Sequence, residues 1–342
     1  GEGRSTLRLT GLMVGLALCV LAAACSPSGA QQGAGQRGAG HQGAGETAAG
    51  DRAVASPGCR NGHATAAVTE QRQDLEVDGA QRWYLITHRA SPAGGAPRPL
   101  VLDFHGLAEG ARIQAVTSQW GALADKNGFI VAFPNGTGSP VQWDTNPNAN
   151  PNTDLDYVGR LIDNVESGLC VDESRVYASG GSLGAFMVSA LACAMAGRVA
   201  AVAGVSGVQL PKQCKANQRV PILAFHGTAD PILYFNGGIG TGVLNHALGG
   251  GPAPATSSIP PADLHGAGYP ATIQGWAARE GCDPHSTDTK ISPHVIHRTY
   301  RCPSGTAVEL YIVLGGGHAW PGSRFSNAIA QITGPTTFEI NA

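Results

Sequence analysis

From about Val77 onward, short runs rich in β-branched and aromatic residues alternate with stretches whose apolar positions recur at helical spacing. The apolar runs predict strands over residues 82–88, 99–104 (buried), 129–133, 175–178, 199–205, 220–225 and 308–314. Helical spacing predicts helices over 113–126, closed by Asn127-Gly128, and over 155–169, 183–195 and 271–280. Strands that take turns with helices build an α/β fold, a mostly parallel sheet with helices on both faces. In such sheets the functional side chains sit in loops at the carboxyl ends of the strands.

Ahead of that pattern the chain has a different character. Arg4 and Arg8 precede an apolar run over 9–24 that ends in Leu21-Ala22-Ala23-Ala24 directly before Cys25, the anatomy of a bacterial export signal. The run falls short of the roughly 20 residues that span a bilayer. Its end resembles a lipobox, with Ala22 where Leu or Val is more usual. Lipidation of Cys25 is the expectation, with simple secretion as the alternative. Residues 26–58 are mostly Gly, Ala, Gln and Ser with tandem pentads starting at Gly33, Gly38 and Gly43. That composition buries too little to offset chain entropy and predicts a flexible tether. The expected organisation is therefore a signal segment over 1–25, a tether over 26–58 and one folded domain over 59–342, extracytoplasmic and touching a membrane only through a lipid at Cys25.

Composition narrows the partners. With 22 Lys plus Arg against 24 Asp plus Glu and a net charge of −2, no field is available to hold a polyanion, so nucleic acid is not an expected partner. Hydrophobic residues at 42% and charged residues at 13% suit one sizeable core, expected as a monomer. Setting aside Cys19 in the signal and Cys25 leaves six cysteines, an even number in a chain exported to where disulfides persist. Cys282 and Cys302 flank a segment able to close as a hairpin-like loop and Cys193 and Cys214 flank another, which leaves Cys59 with Cys170 by elimination. A zinc site is the competing reading, but no CxxC pair is present among them and no metal is expected.

Gly180-Gly181-Ser182-Leu183-Gly184 matches G-x-S-x-G. With 49 glycines in 342 residues, about 0.4 such matches arise by chance, so context decides. A strand pattern runs into the motif and a helical one runs out of it, the strand, sharp turn and helix of a nucleophile elbow. A serine hydroxyl needs a base and an orienting acid, in the chain order Ser, Asp, His. Asp230 follows the strand 220–225 and His318 follows the strand 308–314, so order and strand-end placement both hold. Ser182, Asp230 and His318 are the candidate catalytic residues, with Asp230 holding the His318 tautomer. The strand 99–104 ends in His105-Gly106-Leu107, and the N–H groups of Leu107 and Leu183 are the candidate oxyanion donors. His105 reads as a structural residue that ties this loop by hydrogen bonds. Trp143 and Trp320 are candidate pocket residues. His294 and His297 have a spacing that suits neither one strand face nor a zinc-binding helix, and read as surface residues.

From about Val77 to Ala342 the chain resembles the exported α/β-hydrolase esterases grouped as poly(3-hydroxybutyrate) depolymerases and as feruloyl and acetylxylan esterases of carbohydrate esterase family 1. The matching stretches include 127–136 (NGFIVAFPNG), 170–185 (CVDESRVYASGGSLGA), 226–231 (HGTADP) and 315–322 (GGGHAWPG), in family order. The resemblance implies an α/β-hydrolase fold and a serine esterase acting on an ester substrate, polymeric or carried on polysaccharide, without a cofactor. Its triad falls on Ser182, Asp230 and His318. Leu183 departs from the polar or small residue usual after the nucleophile, which bears on pocket shape alone. The chain stops at Phe338-Glu-Ile-Asn-Ala342 where family members continue into a last helix, so apolar surface beside the His318 strand is expected to lie uncovered. Residues 237–268, rich in Gly, Pro, Ala and Ser, read as a flap near the site or a disordered insertion. A serine peptidase or an acyltransferase would use the same triad, and a non-catalytic envelope-binding protein is the alternative from another class.

Overall fold

The computed structural model describes residues 52–214, 218–252, 254 and 258–342. Among the described residues ten strands form one sheet: β1 (Val68–Val77), β2 (Ala80–His88), β3 (Arg98–Phe104), β4 (Ile130–Pro134), β5 (Val171–Gly181), β6 (Ala201–Val205), β7 (Ile222–Gly227), β8 (Ser286–Ser292), β9 (Val295–Tyr300) and β10 (Val308–Val313). Their order is β1-β2-β4-β3-β5-β6-β7-β10-β9-β8. The six strands from β4 to β10 in that order run parallel, and antiparallel pairs close both edges. The α-helices of the described residues are α1 (Ala111–Ser118), α2 (Trp120–Asn127), α3 (Thr153–Gly168), α4 (Leu183–Ala194), α5 (Thr241–Ala247), α6 (Tyr269–Arg279), α7 (Arg324–Ala328) and α8 (Ala330–Thr333).

Alternation along β3 shows how the sequence divides the two faces. Leu100, Leu102 and Phe104 join the larger core with Leu161 and Ile162 of α3, Leu191 of α4 and Trp276 of α6. Val101 points the other way, toward Ala111 and Ala115 of α1 and Ala124 of α2. Period-2 geometry then puts Asp103 on that second face too, fully buried under α1.

Disulfides join Cys59 to Cys170, Cys193 to Cys214 and Cys282 to Cys302, and the last pair brackets the β8–β9 hairpin. Such bonds suit an oxidising, extracytoplasmic compartment. Residues ahead of β1 lie along the start of β5: Ser56 N–H donates to Val171 O at 2.9 Å and Glu173 N–H to Val54 O at 2.8 Å, beside the Cys59–Cys170 bond. Cys25 and the pentads lie outside the described residues.

Three elements differ from expectation. The helix expected over 113–126 is two, because Gln119 turns into the left-handed region at φ 60° and sends Trp120 against Phe129, ring centroids 5.7 Å apart. The edge strands β1 and β8, and β9 beside β8, were not expected, since β1 and β8 are polar and lie largely in solvent and β9 carries His297 and Arg298 within a short run. The surface beside the His318 strand is covered: Ile340 and Ala342 pack against the cluster of Val205, Phe225 and Trp320, and Trp320 Nε1–H donates to Ala342 O at 3.0 Å. Within 237–268, Val243 of α5 packs with Ile232, Leu233 and Tyr269.

Candidate active site

Ser182 sits between β5 and α4 at φ 54°, ψ −121°, a conformation that L-residues seldom adopt. Neighbouring backbone holds it there. Its N–H donates to Val205 O at 2.9 Å and its carbonyl accepts the Ala185 and Phe186 N–H groups at 2.9 and 3.2 Å. The turn requires α4 to pass against β3, and Gly184 makes this possible, because a Cβ there would lie 2.0 Å from Phe104 O. The elbow thus lifts the hydroxyl out of the sheet at the N-terminus of a twelve-residue helix, in its positive field.

Asp230 follows β7 and is fully buried. Its Oδ1 accepts the N–H groups of Ile232 and Leu233 at 2.9 and 2.8 Å, and its Oδ2 accepts His318 Nδ1–H at 2.8 Å. His226 Nε2 is a second neighbour at 3.3 Å from Oδ2, donates to Leu233 O at 2.9 Å, and stacks its ring on Tyr269 at 3.8 Å. Burial alone would raise the Asp230 pKa. The charge of His318 and the hydrogen bonds from His226 and His318 outweigh it and hold the carboxyl well below its ordinary range. For His318 burial works downward, yet the charge and hydrogen bond of Asp230, helped by the charge of Glu109, lift its pKa above 6.5. Thr333 O and Pro335 O brace this loop by accepting the His318 and Gly317 N–H groups at 2.6 and 2.8 Å.

Ser182 and His318 line one cleft of about 50 Å³, with Glu109, Gln114, Thr117, Ser206 and Trp320. The 105–108 loop leads into Glu109 and brings Gly106 beside Ser182, where a Cβ on Gly106 would lie 3.2 Å from Ser182 Cβ. Trp143 Nε1–H donates to His105 O at 2.9 Å, His105 Nδ1–H to Gly106 O at 2.7 Å, Gly106 N–H to Glu109 Oε2 at 2.8 Å, and Ala108 N–H to Val141 O at 2.8 Å. The Gly106 and Ala108 N–H groups are thereby engaged, whereas the Leu107 N–H between them has no partner among the described residues. The Leu183 N–H, at the first turn of α4, is likewise unengaged there. His105 is a structural tie: burial pushes its pKa down to about 4, so the ring stays neutral and its Nε2 accepts the Gly136 N–H at 2.9 Å.

Trp143 requires correction as a pocket residue. It is 5% exposed and packed on Phe104 and His105, with ring centroids 5.3 and 4.7 Å away, so it supports the loop from behind rather than facing the cleft. Trp320 does line the cleft. None of the described residues of 237–268 does. His294 and His297 are separate, engaged with Glu339 and Glu309 at 2.7 Å each. Sequence reasoning did not single out Glu109, Gln114, Thr117 or Ser206. The one signal was the position of Glu109 three residues after the His-Gly pair, and a lone charged residue in a loop reads as solvated.

The parallel sheet, the elbow after β5 and the acid and histidine after β7 and β10 define an α/β-hydrolase arrangement. NocK of Nocardia uniformis subsp. tsuyamanensis, which carries the provisional name of an esterase, is 32% identical over 276 residues, 76% of this chain and 76% of that protein. Feruloyl esterase B of Piromyces equi is 29% identical over 236 residues, and the bifunctional acetylxylan esterase/xylanase XynS20E of Neocallimastix patriciarum 33% over 149 residues. They cover 66% and 43% of this chain, which spans only 40% and 22% of their own lengths. An acetyl xylan esterase from Aspergillus awamori shares the fold, with a TM-score of 0.52 at 15% identity over 73% of this chain and 94% of that one. No family model matches the chain. The chain belongs to the α/β-hydrolase esterases of the feruloyl and acetylxylan esterase group, carbohydrate esterase family 1.

Proposed function

We propose that the protein hydrolyses carboxylic esters through an acyl-enzyme on Ser182. The observation that carries this is the Asp230–His318 hydrogen bond of 2.8 Å in a loop that shares one cleft with the strained Ser182 elbow. With Nδ1 engaged by Asp230, His318 offers Nε2 as the base. It takes the Ser182 proton as Oγ attacks the ester carbonyl, and the Leu107 and Leu183 N–H groups receive the developing oxyanion. His318 then returns the proton to the leaving alcohol. Water, activated by the same nitrogen, releases the acid.

The relatives' names supply two acyl classes, feruloyl and acetyl, and the cleft favours the smaller. About 50 Å³ has room for roughly three to five water-sized groups, which suits acetyl and other short acyl groups on a polysaccharide. A hydroxycinnamoyl group extends beyond it. The test is a panel of short nitrophenyl esters, acetylated xylan, methyl ferulate and hydroxybutyrate oligomers, run beside Ser182→Ala. Highest kcat/KM is expected on acetyl esters, and near-normal turnover of any of them by Ser182→Ala would overturn the mechanism.

The pH dependence follows from His318. It accepts a proton only when neutral, so activity falls as the pH drops through its pKa, which lies above 6.5. The acid limb of kcat/KM is expected on the high side of that value, and a wild-type limb well below it would contradict the Asp230–His318 pairing.

Cys25 completes the proposal as the lipid-bearing residue of the mature protein. One acyl chain binds membranes only marginally, and a diacylglyceryl group adds the second needed for stable anchoring. Mature protein is expected to partition into detergent and Cys25→Ser to be released or left unprocessed. Mass spectrometry finding an unmodified N-terminus downstream of Cys25 would leave ordinary secretion.

A further inference from the structure

We infer that Glu109 is a positioning residue of this site: its carboxylate fixes the Gly106 peptide so that the Leu107 N–H faces the substrate oxygen, and its charge favours the His318 imidazolium. The inference rests on Ser182 being the nucleophile. Glu109 Oε2 accepts the Gly106 N–H at 2.8 Å, and Glu109 N–H returns to Gly106 O at 3.4 Å, closing the turn through Ala108 at φ 65°. The packing around Gly106 is tight. A Cβ placed there would lie 2.9 Å from Glu109 Oε2 and 3.2 Å from Ser182 Cβ, so the carboxylate and the nucleophile both close on the space that a side chain at this one residue would fill.

A carboxylate so near the reaction centre would be a liability if only the oxyanion formed. The transition state, however, also creates an imidazolium at His318, so the two charges act on Glu109 in opposite senses and largely offset. What remains in the transition state is the tie to Gly106. In the free enzyme the charge on Glu109 instead stabilises protonated His318. The other groups around Glu109 are Asp103, a buried carboxyl on β3 coupled to it, and Asp230 behind His318, while Gln114 and Thr117 of α1 and Ser326 of α7 bring no charge. Removing the charge at Glu109 stabilises the deprotonated forms of both His318 and Asp103, so any limb they share moves in one direction.

Three substitutions separate reach from charge. Glu109→Gln keeps an acceptor at the right length without charge, Glu109→Asp keeps the charge but falls one methylene short, and Glu109→Ala keeps neither. On a short nitrophenyl ester, Ala and Asp are expected to lower plateau kcat by about ten- to a hundredfold with KM little changed, below the loss seen on deleting an oxyanion donor outright. Gln is expected to recover most of that loss. The acid limb of kcat/KM should move to lower pH in Gln and Ala and stay in place in Asp. Unchanged kcat in folded Glu109→Ala, or a Gln variant as impaired as Ala with its limb unmoved, would overturn the inference. If Ser182→Ala is inactive while every Glu109 variant matches the wild type, this inference alone fails; if Ser182→Ala is active, the reading beneath it fails.

Discussion

Ser182→Ala is expected to lower kcat by about 10⁴-fold or more, with His318→Ala nearly as damaging and the double variant little worse than either. The two side chains act as one unit, so once the nucleophile or its base is gone the other has nothing to do, and only oxyanion stabilisation and binding remain. Asp230→Asn should approach the same loss for a reason visible in its contacts. An Asn keeps its carbonyl toward the Ile232 and Leu233 N–H groups, so its NH₂ meets His318 Nδ1. The ring then adopts the tautomer with hydrogen on Nε2 and cannot accept the serine proton. Single-turnover kinetics on a nitrophenyl ester measures all four proteins, and additive losses in the double variant would argue against a shared step.

Gly184→Ala is expected to damage both fold and activity, although it adds a single methyl group. The added Cβ would meet Phe104 O at 2.0 Å and His105 O at 3.0 Å, and both belong to backbone with no flexible end to swing away. Either α4 shifts off β3 or the 105–108 loop moves. The first destabilises the fold by about 3 kcal/mol or more, a fall in Tm of roughly 5–10 °C in a domain of this size. The second displaces the Leu107 N–H and lowers kcat. Thermal melts and kcat on the same preparation check both, and a variant normal in each would mean that the elbow has slack which its geometry denies.

The buried strands are legible in the sequence because burial on both faces leaves a continuous apolar run, as in Leu100 to Leu102 and Ile130 to Phe133. The candidate site is legible for the related reason that Ser182, Asp230 and His318 each stand where such a run stops. Edge strands escape because one of their faces meets water: Val68–Val77 carries four charged residues and is held by its ladder with β2 rather than by apolar content. Gln119 carries no Gly or Pro signal, so the break between α1 and α2 comes from packing of Trp120. Trp143 shows the limit in the site itself, since the side of a loop on which a tryptophan lies is decided by tertiary contacts with His105. Glu109 is hidden for the opposite reason: its role depends on a backbone N–H, and sequence displays side chains only.

The bond between Cys59 and Cys170 also sets how the domain bears mechanical load. A pull on the chain ahead of Ala53 does not reach β1 first, although β1 comes first in the chain and lies at the sheet's edge. It is passed at Cys59 into the head of β5, the fifth of ten strands and the one that ends at Ser182, with the Val54 and Ser56 backbone bonds sharing the strain. With that disulfide intact, force is spread into the middle of the sheet through a covalent link. With it reduced, the same force travels on to β1 and peels an edge strand one rung at a time. A domain held at its amino-terminal end is therefore mechanically robust in oxidising surroundings and fragile in reducing ones.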